Sequence, residues 1–184
     1  MPVDKRLALS AAELTATLER LAREISEAYG SPEELVVVGI RTGGAYLAHR
    51  LAEMLGRHTL TPLKVGVLDI TLYRDDWTRI SHKPLVGKTE LPGSIDDQEI
   101  LLVDDVLFTG RTVRAALDAL MDYGRPRRIR LAVLVDRGGR ELPICPDFVG
   151  LKVELPPEQR VNVYLTEMGQ PDAVAIESGH PERP

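Results

Sequence analysis

The sequence predicts an α/β fold on a mainly parallel sheet flanked by helices. Three observations predict it. Short, continuously apolar runs recur along the chain, and such runs suit strands buried on both faces. Between them lie segments whose apolar residues repeat every three or four positions, as amphipathic helices do. The two kinds alternate up to residue 136, the order of βαβ units with right-handed crossovers.

Residues 10–29 read as a helix. Leu14, Leu18, Leu21, Ile25 and Tyr29 form one stripe, Ser10 and Glu13 a capping box, and Gly30 closes the element ahead of Ser31-Pro32. Leu35–Ile40 is the first buried strand. Leu47, Leu51 and Leu55 make a helix of residues 45–55, and residues 65–73 form the next strand. From 74 to 94 the periodicity dissolves among charges, Pro84, Gly87, Pro92 and Gly93. That stretch is too long for an idle connection and is expected to be a flexible lid. Residues 100–103 are a short apolar strand. Residues 111–123 form a helix ended by Gly124 and Pro126, and 129–135 another strand. Beyond Gly138, residues 149–151, 161–165 and 173–176 are expected as short strands of a C-terminal β ribbon, and 177–184 as a flexible tail.

The length, 184 residues, suits one domain spanning the whole chain. A net charge of −5 argues against a protein built around a nucleic-acid footprint but leaves room for a local basic patch. The single cysteine, Cys145, excludes an intramolecular disulfide framework and reads as a small apolar filler. The four histidines show no metal-ligand spacing. No run of about 18 apolar residues exists for a membrane span, and the N-terminus does not read as a signal peptide. The expectation is a cytoplasmic protein without a membrane partner.

Ligands of such sheets sit beyond the carboxyl ends of the strands. After Val103 the chain reads Asp104-Asp105-Val106-Leu107-Phe108-Thr109-Gly110-Arg111-Thr112 and then enters a helix. A glycine turn at a helix N-terminus is an anion site, because free N–H groups and the helix dipole favour a phosphate. Two acids beside it suit sugar hydroxyls or a divalent cation with mixed ligands. The segment therefore suits a sugar phosphate. The plainer reading is that the acids end a strand and Thr109 caps a helix. Arg41-Thr42-Gly43-Gly44, after the first strand, lets backbone approach a polyanion beside a cation, or is a simple strand-to-helix turn.

Residues 100–112 resemble the signature of type I phosphoribosyltransferases. The resemblance implies that fold and the donor phosphoribosyl pyrophosphate (PRPP). Asp104 and Asp105 would hold the ribose, and Thr109, Gly110, Arg111 and Thr112 the 5′-phosphate. Arg41, Thr42, Gly43 and Gly44 would receive pyrophosphate. Residues 68–76, 124–127, 131–138 and 140–143 extend the likeness to about residues 10–150. They resemble the branch of pyrimidine-operon attenuation regulators that are also uracil phosphoribosyltransferases. This implies conversion of uracil and PRPP to UMP and pyrophosphate, with Mg²⁺ bound through PRPP rather than by a protein cage. Arg74, Asp75 and Asp76 would lie near the pyrophosphate, and Val135, Asp136 and Arg137 would meet the base. Asp104, Asp105, Arg41 and Arg74 form the expected catalytic set. Phe108 stands where purine-using relatives place an acid. Gly43 stands where many members of the branch carry Arg, and Gly139 where many carry His.

The branch also implies a pyrimidine operon leader mRNA as partner, and a homo-oligomer, a dimer or a dimer-based tetramer. Arg125, Arg127, Arg128 and Arg130 are either a solvated basic turn or part of an RNA surface. Three readings stay open: a transferase that also regulates transcription, a UMP-sensing attenuator with little catalysis, and a transferase without RNA binding.

Overall fold

The computed structural model describes residues 4–30, 35–57, 62–75 and 87–178. Asp76 and the middle of the expected lid lie outside the described residues.

The chain runs β1 (Asp4–Leu9), α1 (Ala11–Tyr29), β2 (Leu35–Ile40), α2 (Gly43–Gly56), β3 (Lys64–Leu68), β4 (Glu99–Leu107), α3 (Arg111–Met121), β5 (Arg128–Asp136), β6 (Phe148–Lys152), β7 (Gln159–Tyr164) and β8 (Ala173–Ser178). Five strands form one parallel sheet in the order β3-β2-β4-β5-β6. The other three form an antiparallel ribbon in the order β1-β8-β7.

Period-two alternation explains the unbroken apolar runs. Leu35 and Val37 of β2, Leu101 and Val103 of β4 and Leu134 of β5 share a core with α1, α2 and the ribbon. The intervening Val36, Val38, Ile100, Leu102 and Val133 pack with α3 on the other face. Each central strand is covered twice, so no position along it can be polar without cost. The capping box forms as expected: Ser10 N–H donates to Glu13 Oε2 at 2.8 Å, and Glu13 N–H to Ser10 Oγ at 3.4 Å. No helix among the described residues is long and apolar enough to cross a membrane.

Several boundaries differ from the sequence reading. Residues 148–152 join the main sheet, with Val149 opposite Val133, instead of the ribbon. The ribbon's third strand is β1, whose Asp-Lys-Arg-Leu-Ala-Leu sequence acquires a partner only in β8. β8 runs on through Ser178 into the expected tail, because Glu177 accepts from Tyr164 and Asn162 and pairs with Lys5. β3 stops at Leu68, and Thr71–Tyr73 form a 3-10 turn. β4 continues past Val103 to Leu107, so both acids lie within the strand rather than beyond it.

Candidate active site

The loops after β2, β3, β4 and β5 gather at the carboxyl edge of the sheet. The β2 loop begins at Arg41, whose N–H bonds Leu68 O at 2.9 Å; the Arg41–Thr42 peptide is cis. Gly43 and Gly44 open α2. A Cβ at Gly43 would overlap the Asp105 carboxylate, and one at Gly44 would overlap the Val103 carbonyl. The two glycines therefore let this loop press against β4 where the acids sit.

Asp104 is 5 % exposed. Burial pushes its carboxyl well above the usual range, and the neighbouring Asp105 charge adds to this. Burial also raises Asp105. Asp104 Oδ1 accepts from Asp105 N–H at 3.0 Å, and Asp105 Oδ1 from Val106 N–H at 2.7 Å. Of the two, Asp104 faces a cavity, while the second oxygen of Asp105 packs against Gly43. Asp104 lines a cavity of about 360 Å³ with Arg74, Asp75, Phe108, Glu141 and the 109–112 turn. A second cavity of about 270 Å³ is lined by Arg41, Thr42, Asp69, Ile70, Thr71, Arg74 and Gly87. Arg74 lines both.

The 109–112 turn is built as an anion cradle. Gly110, the residue before α3, sits at φ 92°, a left-handed conformation, and has no side chain to cap the helix; Thr109 Oγ1 accepts from Arg111 N–H at 3.3 Å. The turn is braced from behind: Thr109 O accepts from the N–H groups of Glu141 and Leu142. The Arg111 guanidinium is already engaged, by Asp75 through Nη1 and Glu141 through Nε, each at 2.7 Å. Asp75 thus sits at the phosphate-type turn, not in the cavity that holds Arg41 and Thr42.

The β5 loop divides its expected residues. Val135 is fully buried in the core shared with α1 and α2, so its side chain is not exposed to a base. Asp136 accepts from Arg140 Nη2 through both oxygens at 2.7 Å, and its Oδ1 also accepts from Gly138 N–H at 3.0 Å. Arg140 also donates to Phe108 O at 2.8 Å and Ile144 O at 3.0 Å, lacing this loop to the end of β4. Arg137 is 7 % exposed and stacks 3.7 Å from the Phe108 ring centre. Burial, then the nearby Arg160, lower its pKa. Its Nε has no hydrogen-bond partner among the described residues. Gly139 lies at φ 71°, and a Cβ there would come 2.5 Å from the Phe108 ring.

Asp69, Phe108, Arg140 and Glu141 were not singled out as binding residues in the sequence. Of these, Phe108 and Glu141 line a cavity within a recognisable motif. Asp69 and Arg140 also fall within such motifs, but their bonds to Gly87 N–H and Phe108 O join segments distant in the chain, which no local pattern reveals. Cys145, expected as filler, is exposed.

The basic residues lie at the opposite edge, where β5 begins. Arg127 and Arg128 share the Glu99 carboxylate at 3.4 and 3.9 Å, and both remain more than half exposed. Arg130 lies over the Tyr29 ring at 4.6 Å, and Arg125 is exposed. Among the described residues no group of three or more His, Cys, Asp or Glu could hold a metal ion. The two acids of β4 still offer hard oxygens of the kind Mg²⁺ prefers.

A buried acid pair flanked by an anion turn and a glycine-rich loop, on a five-stranded parallel sheet, defines a phosphoribosyl transferase. The phosphoribosyl transferase domain family matches residues 10–164. Among solved structures, the hypoxanthine phosphoribosyltransferase of Staphylococcus aureus shares the fold. Its TM-score is 0.68 at 22 % identity, over 96 % of this chain and 92 % of that one. The enzyme of Trypanosoma cruzi matches with a TM-score of 0.68 at 17 % identity, over 95 % and 97 %. Sequence similarity is much higher to proteins named bifunctional protein PyrR. That of Syntrophobacter fumaroxidans is 52 % identical over 172 residues, 94 % of this chain and 92 % of the relative. That of Thermus aquaticus is 52 % identical over 168 residues, 91 % and 93 %. The chain belongs to the bifunctional PyrR family of phosphoribosyl transferases.

Proposed function

We propose that this chain transfers the phosphoribosyl group of PRPP to uracil, giving UMP and pyrophosphate, and that UMP held in the same site modulates binding of a pyrimidine operon leader RNA. The observation that carries the reading is the arrangement of two cavities joined at Arg74 with Asp104 beneath. One has the dimensions and donors for a ribose 5-phosphate, the other for pyrophosphate.

The 109–112 turn at the start of α3 binds the 5′-phosphate with backbone N–H groups. Asp104 and Asp105 accept hydrogen bonds from the ribose hydroxyls and fix C1 between the cavities. N1 of the base, giving up its proton to the medium, attacks C1 as the bond to the pyrophosphate oxygen breaks. Positive charge grows on the ribose and negative charge on the leaving group. The acids face the first, and Arg41 and Arg74 the second. Asp104 and Asp105 would help hold a Mg²⁺ ion, which would supply charge neutralisation to the pyrophosphate when bound. Phe108, backed by Arg137, offers the base an apolar ring in place of an acid, which suits a pyrimidine. The pair's raised pKa values mean that binding a ribose releases a proton, so PRPP affinity rises with pH through that range.

The RNA half rests on the exposed Arg125, Arg127 and Arg128 at the far edge of the sheet, which suit phosphate contacts. Family resemblance supports a single domain over residues 1–184, a cytoplasmic location and a dimer or dimer-based tetramer. The test is UMP formation from labelled uracil and PRPP with Mg²⁺, with hypoxanthine, guanine and orotate as parallel acceptors. A leader RNA binding assay with and without UMP runs beside it. Uracil-selective product with UMP-tightened RNA binding is expected. Tight UMP binding without product would leave a sensor. Product without RNA binding would leave a transferase alone.

A further inference from the structure

Among the described residues, Asp69 is the one carboxylate lining the cavity assigned to pyrophosphate, and its placement needs a reason. A lone negative charge beside a polyanion site repels the ligand. Yet Asp69 is built in firmly. Its side chain is 8 % exposed. Oδ1 accepts from Thr71 N–H at 2.8 Å and Oδ2 from Gly87 N–H at 2.8 Å. Its own N–H donates to Thr89 Oγ1 at 3.0 Å. Arg41 Nε lies 4.0 Å from Oδ2, and Arg41 Nη2 donates to Lys88 O at 3.0 Å. Burial opposes the charge, but the bonds from Thr71 and Gly87 and the nearby Arg41 outweigh it. The carboxylate is therefore ionised at neutral pH.

These contacts make Asp69 a three-way junction. The chain leaves β3 through Thr71 and returns at Gly87, and both points are tied to one carboxylate. The same carboxylate and the returning strand grip Arg41 from two sides. Gly87 belongs to the junction: a Cβ there would overlap Asp69 Oδ2 and lie 3.0 Å from Arg41 Cδ.

We propose that Asp69 is a positioning residue for phosphoribosyl transfer: it orients Arg41 toward pyrophosphate by locking Thr71 and Gly87 into one junction. The inference rests on the reading of this cavity as the pyrophosphate subsite. It has a sign that bare electrostatics does not share. If Asp69 were only a nearby negative charge, removing it would tighten polyanion binding. As a positioning residue, its removal weakens that binding.

The test compares wild type, Asp69→Asn and Gly87→Ala by calorimetric titration with magnesium pyrophosphate and with UMP, and by steady-state kinetics with PRPP. Asn retains one acceptor oxygen and loses the charge. Gly87→Ala pries at the same junction with the carboxylate intact. Misplacing a catalytic cation by a fraction of an ångström to 1 Å costs on the order of 10- to 100-fold. Both variants are expected to bind pyrophosphate at least about tenfold more weakly, with a matching rise in the KM for PRPP. UMP has no pyrophosphate, so its affinity should stay within about twofold of wild type. Thermal unfolding establishes that each variant is folded. Tighter or unchanged pyrophosphate binding in folded variants overturns the inference. So does an equal loss of UMP and pyrophosphate affinity, which would mean a purely structural role. Because pyrophosphate binding is read without turnover, the experiment stands apart from the acceptor assay. If wild type makes no UMP and does not bind pyrophosphate, the reading of the cavity itself fails.

Discussion

Replacing Asp104 and Asp105 together by asparagine should separate activity from stability in opposite directions. Both carboxylates are held by neighbouring N–H groups that an amide oxygen can still satisfy. What is lost is charge directed at the ribose hydroxyls. A hydrogen bond to a charged group contributes about 1.5–3 kcal/mol. Two such bonds weaken transition-state binding by about 3–6 kcal/mol, or roughly 10²- to 10⁴-fold in kcat/KM. Stability moves the other way. Burial raises both folded-state pKa values above the ordinary carboxylate value, so ionised acids destabilise the fold at neutral pH. That penalty is fully present above the folded-state values and is relieved as pH falls through them. The double variant should therefore melt higher than wild type near neutral pH. Each kcal/mol corresponds to about 2–4 °C for a chain of this size. The gap should close as the pH is lowered. The assay is UMP formation beside thermal unfolding at several pH values. A variant that melts lower at neutral pH, or that keeps kcat/KM within about threefold, refutes the assignment of these acids to the ribose.

Four further outcomes follow from named contacts. Gly139→Ala places a methyl against the Phe108 ring at a left-handed backbone position; the KM for uracil should rise severalfold with the KM for PRPP unchanged, and an unchanged uracil KM removes Phe108 from the base site. Arg140→Ala takes the guanidinium from the largely buried Asp136 carboxylate and leaves it only the Gly138 N–H; a loss of about 2–3 kcal/mol in urea unfolding is expected, with weaker uracil binding as the loop loosens. Ser10→Ala breaks the capping box and should cost about 1 kcal/mol without changing turnover. Arg127→Ala with Arg128→Ala should leave kcat intact and lower the salt slope of leader RNA binding by about 2; an unchanged slope means these arginines form only a solvated turn.

The central strands were legible because β2, β4 and β5 are buried on both faces, which forces unbroken apolar runs. β1 was not, because a ribbon strand with exposed Lys5 and Leu7 has no such constraint and is defined by its partner. Residues 149–151 read correctly as a strand but were given the wrong neighbour, since pairing with β5 is a matter of tertiary register. Asp104, Asp105 and the 109–112 turn announce their chemistry by adjacency. Val135 adjoins Asp136 in sequence, and nothing in that adjacency signals that its side chain is buried in the core. Asp69 carried no local signal, because its partners Gly87 and Arg41 converge on it only in the fold.

The most direct test of the central claim is stoichiometry, followed by phosphorus NMR of PRPP and Mg²⁺ with limiting uracil. One pyrophosphate and one UMP per uracil consumed, with negligible pyrophosphate before uracil is added, is the predicted result. Pyrophosphate release independent of uracil, or none in its presence, would contradict transfer at the Asp104–Asp105 site.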